Sequence, residues 1–438
     1  LLPEQDGGFA PACELIVAGG PLDRVLAEDA PFGVLDPQVA AAWPAPVLTA
    51  VGVLSTFAVL RASDVTLDPD EPVLLELDDS DTWVEEVYES EPAEPAGPPG
   101  TPAAPRIIRS FAAVRDLELV DRACWPEALA ELARPPLRDV VCAPEPNYTR
   151  WWLSRHALLP VDEGGPGSGA GTLLPPPELR LPGADPLLEG LFAPAAPLPG
   201  VDDELLRALG CRLTLEDVLG DPDAVMDLLD RLGDADREVS WPAARTLYMA
   251  AVDAAAAWAL AHPERRLDPP LTIRTPDGVF PSSEVVVVDA PDLLGLLGRG
   301  RSGLRLPLDR AAEAAHVLGL PLASELGDCE PVEGEPVEGK PQEAAAPTPA
   351  VAPDGTEYLV HRELWVTDLD GTPTRVGWRV LGGIGGEIHV DAEAGTDALA
   401  RALAWRAGQW ERRHALAAAL RDPEGAAQRA AEDDLDEM

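Results

Sequence analysis

Lysine is almost missing from this chain: Lys340 is the only one, and arginine supplies the rest of the 33 basic side chains. With abundant alanine, proline and glycine beside it, that bias reads as the base composition of a GC-rich genome and not as a functional choice. Positive charge of any kind is scarce, because 77 acidic residues leave a formal net charge of -44. Such a surface repels phosphate backbones and anionic lipid, so nucleic acid and membranes are excluded as partners, while protein partners or clients with basic segments are expected. The five cysteines, Cys13, Cys124, Cys142, Cys211 and Cys329, are odd in number and never spaced C-x-x-C. They exclude a disulfide framework and predict reduced, mostly buried thiols in a cytoplasmic protein. Six histidines lie at no metal-ligand spacing, and Asp78-Asp79-Asp81 and Asp234-Asp236-Glu238 lack the glycine and bidentate glutamate of a calcium loop, so no metal is expected and the carboxylates read as solvated. A long apolar run is missing too. Pro37 to Leu60 carries no charge, but Pro44, Pro46 and Gly52 keep its apolar core below the ~20 residues of a membrane span, which predicts a buried helix and turn.

What is present is a repeated turn. A glycine follows an apolar residue at a helix end in Val51-Gly52-Val53, Leu209-Gly210-Cys211 and Leu318-Gly319-Leu320. Glycine suits the position past a helix end because it enters the left-handed region without a Cβ penalty. In DELLRALGCRLTLEDVLG, a short helix stops at Gly210, and Thr214 with Asp217 reads as a capping box for the next one. Residues 89–106, 163–177 and 328–355 are rich in Pro, Gly, Ala and Glu and read as linkers, the last being the strongest boundary. They divide the chain into a first α/β module (1–88, continued at 107–162), a second (178–327), a C-terminal β-β-β-α module (356–422) and an acidic tail (423–438). The predicted class is therefore multidomain α+β: repeated mixed helix/strand modules and a small antiparallel C-terminal sheet with a packed helix.

Gly52 and Gly210 fall at corresponding places in a weak duplication whose copies continue through Leu117 to Asp121 and Val285 to Asp289. Helical Trp125 to Leu132 and extended Leu137 to Cys142 in the first copy match helical Leu293 to Leu297 and extended Leu304 to Leu308 in the second. Gly319 then opens a truncated third. Ser240 and Pro242 start a long helix to about Ala261, Pro276-Asp277-Gly278 centres a hairpin, and Val285 to Val288 is a buried strand. Strands are predicted over Tyr358 to Thr367, Arg375 to Leu381 and Glu387 to Val390, then a helix from Thr396 to about Leu420.

Chemistry-bearing patterns are few. Asp368-Leu369-Asp370-Gly371-Thr372 matches the first motif of haloacid-dehalogenase phosphatases, yet no lysine follows and Asp370-Gly371 equally makes a hairpin turn. Gly298-Arg299-Gly300-Arg301-Ser302-Gly303 satisfies G-x-G-x-x-G, but follows a helical segment and opens an extended one, the reverse of a dinucleotide loop. Asn147-Tyr148-Thr149 has the form of a glycosylation sequon. Tyr148, Trp151, Trp152 and Arg155 fall on one short helix, either as packing or as an aromatic and cationic stripe for a partner. No catalytic residue is assigned.

The stretch YTRWWL, then PELRLPGADPLLEGLFAP, DELLRALGCRLTLEDVLGDPDAVMDLLDRLGD, SEVVVVDAPDLLGLL and LGLPLASE, resembles the C-terminal portion of actinobacterial sacsin-type, Hsp-ninety-like chaperones over most of Tyr148 to Glu325 and more loosely beyond. Members of that family carry an N-terminal GHKL-type ATPase domain, none of whose motifs occurs here. The resemblance implies a non-catalytic scaffold that binds clients or couples domains, with ATP bound only by an upstream domain. The opening Leu1-Leu2 and a first methionine at Met226 agree with that expectation. The alternatives are a partner-binding adaptor unrelated to chaperones and a phosphatase using Asp368 and Asp370.

Overall fold

A computed structural model describes residues 1–90, 106–162, 171–220, 222–261, 268–332, 346–426 and 428. Residues 91–105, 163–170 and 333–345 of the expected linkers and most of the acidic tail lie outside the described residues. The fold is multidomain α+β, and its contacts divide it into two compact units, Leu1–Asp217 and Val218–Met438.

In the first unit the order is β1 (Leu2–Pro3), β2 (Phe9–Ala10), β3 (Leu15–Ile16), β4 (Gly33–Val34), α1 (Pro37–Ala42), α2 (Ala45–Ala50), β5 (Val59–Thr66), α3 (Ser80–Ser90) and β6 (Ile107–Val114). Then come α4 (Trp125–Leu132), α5 (Leu137–Val141), α6 (Tyr148–His156), β7 (Leu159–Pro160), β8 (Leu173–Leu174), β9 (Leu179–Arg180), β10 (Ala193–Pro194) and α7 (Asp203–Ala208). The antiparallel β5–β6 ribbon and α3 to α6 enclose a core around Trp83, Phe111, Trp125 and Leu153. Helix α4 has the predicted bounds. Leu137 to Cys142, expected extended, is helical instead, because Leu137, Val140 and Val141 at helical spacing all turn into that core.

The second unit contains α8 (Pro222–Leu232), α9 (Trp241–Ala261), β11 (Thr272–Thr275), β12 (Gly278–Pro281), β13 (Val285–Val287), β14 (Ser302–Leu304) and α10 (Ala311–Leu318). It continues with β15 (Thr348–Val351), β16 (Glu357–His361), β17 (Trp365–Thr367), β18 (Pro373–Arg375), β19 (Trp378–Leu381), β20 (Glu387–Asp391), α11 (Gly395–Arg406) and α12 (Arg413–Arg421). The C-terminal sheet runs β15-β16-β20-β19 and is mixed, not wholly antiparallel, since β16 and β20 are parallel. The single helix expected after Thr396 is two, broken where Gly408 turns left-handed at φ 67°. Leu293 to Leu297 forms successive turns and no helix. The strong boundary expected at 328–355 does not separate two cores. Cys329 is buried with Val286, Leu296, Leu364 and Val366, Pro331 bridges to Val366, and β15 is already in the sheet.

The three glycines mark three copies of one unit, which the predicted duplication mispaired. Each copy begins with a hairpin: β1–β2, β7–β8 or β11–β12. A Pro-x-x-Glu turn follows, at Pro11–Glu14, Pro175–Glu178 and Pro281–Glu284; its next residue donates to the carbonyl of Ala12, Pro176 or Ser282. The short strand after it pairs in parallel with the next one, as β3–β4, β9–β10 and β13–β14. Then α2, α7 or α10 ends at the glycine. In each copy the residue after glycine donates back five positions: Val53 to Leu48, Cys211 to Leu206 and Leu320 to Ala315, at 3.0, 3.0 and 2.9 Å, the mark of a Schellman end. The carbonyl two residues past the glycine then accepts from the first strand, Leu54 from Val17, Arg212 from Leu181 and Pro321 from Val287. Gly319 therefore closes a third copy and does not open one, and Asp289 follows the first strand of its copy, where Gly19 and Gly183 stand in the others. Asp121 instead caps the turn Arg122–Cys124 outside the repeat.

The backbone requires glycine here, with φ of +105° at Gly52, +107° at Gly210 and +65° at Gly319. Alanine at Gly52 is expected to cost roughly 1–2 kcal/mol from backbone strain alone, because its Cβ would have 3.6 Å of clearance. Gly210→Ala and Gly319→Ala should cost more, since their Cβ atoms would lie 3.1 Å from Pro177 and 2.7 Å from Pro269. Urea midpoints of the three variants check the ranking.

Candidate functional site

Helix α6 starts at Asn147, whose side-chain oxygen accepts from the Arg150 amide at 3.0 Å. Its four singled-out side chains split between two surroundings. Tyr148 and Trp152, one turn apart, are buried, and both are tied to the acidic loop before α3: the Tyr148 hydroxyl donates to the Asp78 carbonyl (2.5 Å) and Trp152 Nε1 to the Asp78 carboxylate (3.1 Å). Trp83 stands edge-on to Tyr148 at 5.6 Å, and Trp125 lies 6.0 Å from Trp152. Burial pushes the Tyr148 phenol well above its ordinary range, with the negative charge of Asp78 in the same direction. These two aromatics are core packing, the first of the two readings of α6, and do not belong to an exposed stripe. A turn apart on the other side, Trp151 is half-buried at the edge of the core and Arg155 is exposed. Arg155 stacks over the Trp151 ring at 4.6 Å and pairs with Glu86 of α3, which also accepts from Trp151 Nε1 at 2.8 Å.

Asp78 and Glu86 are thus the partners that sequence alone did not supply. Asp79 is braced by the Thr82 hydroxyl at 2.7 Å, so this acidic cluster anchors a helix and is not merely solvated. The sequon has no free asparagine: Asn147 is buried under α6, and the buried Thr149 hydroxyl accepts from the Val114 amide at the end of β6 (2.9 Å).

The two phosphate-type motifs lock onto each other. Asp368 closes the β17–β18 hairpin, accepting from the Asp370 and Thr372 amides at 3.0 and 2.8 Å. Asp370 reaches the glycine-rich loop, accepting from the Arg299 amide (2.7 Å), the Gly300 amide (3.4 Å) and the Arg301 guanidinium (2.6 Å). The two amides, then Arg301, hold its carboxyl below the usual range against the opposing effect of desolvation. Any Cβ at Gly298 would meet Asp370 at 2.2 Å, so that loop is glycine-rich to admit a carboxylate of its own chain.

In the C-terminal sheet, His361 Nε2 and His389 Nδ1 lie 2.9 Å apart. Burial, and for His361 the neighbouring imidazole, lowers both below the ordinary 6.5 despite Glu387. The unfolded chain therefore binds protons that the folded pair refuses, and stability falls as pH drops below 6.5 towards the folded values. His389→Gln should flatten this part of a melting temperature–pH profile. The buried Asp391, desolvated but overcompensated by Arg375 at 2.9 Å and two backbone amides, titrates below 3.8, so its stabilisation is lost only in stronger acid.

Of the cysteines, only Cys211 and Cys329 are buried, Cys124 is half-buried, and Cys13 and Cys142 are exposed, which corrects the expectation of mostly buried thiols. Burial raises the Cys211 thiol to about 12, far from nucleophilic use at neutral pH. Among the described residues, no group of His, Cys, Asp and Glu side chains is arranged to hold a metal ion, and no helix is long and apolar enough to cross a membrane. Comparison with models of known protein families, with characterised proteins and with solved structures finds no match to this chain.

Proposed function

We propose that this chain is a non-catalytic scaffold of a sacsin-type, Hsp-ninety-like protein that acts in the cytoplasm, binding clients or partners and coupling neighbouring domains. The observation that supports this reading is the threefold use of one hairpin–parallel strand–helix–glycine unit. Repetition of a structural unit builds extended surface for contact more readily than it builds one reaction centre. The chemistry-like motifs support the same reading: Asp368 and Asp370 are both committed to turns. In the family that the sequence resembles, ATP belongs to a separate GHKL domain.

The purified chain is expected to release no phosphate from ATP, or from a generic aryl phosphate, above background. It is also expected to suppress the aggregation of a heat-unfolded test protein at stoichiometric concentration. Phosphate release abolished by Asp368→Asn would overturn the reading in favour of a phosphatase. Failure to suppress aggregation would leave only an adaptor with dedicated partners.

A further inference from the structure

The three copies bury their helices unequally. Counting back from the glycine, the residues one and five positions before it are Leu209 and Leu205 in the second copy and Leu318 and Ala314 in the third, all four 0% exposed. In the first copy the same positions are Val51 and Val47, which are 55% and 40% exposed, and Trp43, in the extended link between α1 and α2, is 56% exposed. The inward position four before the glycine, Leu48, is buried like its counterparts Leu206 and Ala315, so α2 is seated on its own strands in the ordinary way. The segment expected to be a buried helix and turn therefore presents an uncharged apolar face to solvent.

The other two copies show what covers such a face. In the second, Leu205 and Leu209 share a core with Leu129 and Leu132 of α4 and Leu137 and Val140 of α5; Arg138 of α5 pairs with Asp202 and Glu204 at 2.6 and 3.1 Å. In the third, α10 packs against α9, and Arg310 pairs with Asp253 of α9. Each seat is filled by helices with buried aliphatic side chains, Leu129, Leu132, Leu137 and Val140 in the second copy and an α9 that buries Ala251, Val252 and Ala255 in the third, with an ion pair beside it.

We propose that Trp43, Val47 and Val51 form a docking seat for an amphipathic helix of a partner protein, with an alanine- and leucine-rich contact face and basic flanks. The bulk of Trp43 favours small residues opposite it. The seat has no charge of its own between Pro37 and Leu60, while the chain's net charge of -44 favours a cationic partner. This inference rests on the scaffold reading and gives it one surface.

The test is fluorescence anisotropy of a labelled peptide of residues 241–261 carrying Asp253→Lys and Ala257→Lys, titrated with the full chain. Saturable binding is expected, weakened roughly tenfold or more by Val47→Asp or Val51→Asp. Both valines are exposed, so the variants should keep the parent's melting temperature. If either does not, hydrogen exchange on the unaltered chain decides instead, with protection of the Ala45–Val53 amides by the peptide as the expected result. No saturable binding, binding indifferent to both aspartates with the fold intact, or no protection of those amides would overturn the seat. So would a concentration-dependent doubling of mass that Val51→Asp abolishes, which would assign the face to a second copy. A failed peptide titration leaves the scaffold reading standing, whereas ATP turnover by the chain would remove that reading whatever the peptide does.

Discussion

Asp292→Ala is expected to destabilise the second unit by about 3–5 kcal/mol, the usual consequence of leaving one member of a buried ion pair without its partner. The Asp292 side chain is fully buried, and its Oδ2 accepts from the Arg379 guanidinium and from the Val380 amide at 3.0 Å. Arg379 in turn donates to the carbonyls of Asp328 (2.8 Å) and Cys329 (3.3 Å). One carboxylate and one guanidinium thus fasten the third copy, the 328–329 strap and β19 together. Without Asp292 the guanidinium stays buried with only carbonyl partners, and the Val380 amide loses its acceptor. Arg379→Met should cost a similar amount by stranding the carboxylate. The double variant should lose much less than the sum, because both desolvation penalties disappear with the charges. Urea unfolding of the four proteins forms the cycle. Additive losses would show that the two side chains stabilise independently and that the clamp is not a pair.

How much of this was legible in the sequence follows the range of the interactions. Helix α9 was placed by Ser240, Pro242 and the apolar run after them, and the β11–β12 hairpin by Pro276-Asp277-Gly278, all signals within a few residues. The Schellman glycines were read correctly as turns, but the units they close were not. Their parallel strands are two or three residues long, too short to carry a period, and copies one and two are separated by the whole β5–β6 and α3–α6 insertion. Helix α5 failed for a related reason: five residues with two adjacent valines favour extension locally, and tertiary burial decided otherwise. At the candidate site, the residue types on α6 were found but their facing was not. Tyr148 and Trp152 are drawn inward by Asp78, and Trp151 and Arg155 are held by Glu86, partners more than sixty positions away. The lock between Asp370 and the Gly298 loop is equally distant. Each motif taken alone imitates an active site, and only their contact shows the structural use of both.

Asn147 offers the second large effect, and the ranking of its variants separates two roles. Its side-chain amide donates towards the carbonyls of Val140, Val141 and Ala143, each at 3.0 Å, while its oxygen caps α6 through the Arg150 amide. The residue is buried, so water cannot replace these bonds. Losing the cap costs about 1 kcal/mol, and orphaning the carbonyls at the end of α5 adds roughly 1–3 kcal/mol, so Asn147→Ala should lose about 2–4 kcal/mol. Aspartate is as good a cap as asparagine, and if capping dominated, Asn147→Asp would be nearly neutral. It is instead expected to be at least as damaging as alanine, because a buried carboxylate would face three carbonyl oxygens with no proton to offer them. Near-ultraviolet circular dichroism reports the result directly, since α6 carries Trp152 against Trp125 and Tyr148 against Trp83. A near-native spectrum and urea midpoint for Asn147→Asp would show that the cap alone matters and that the α5 carbonyls are satisfied in another way.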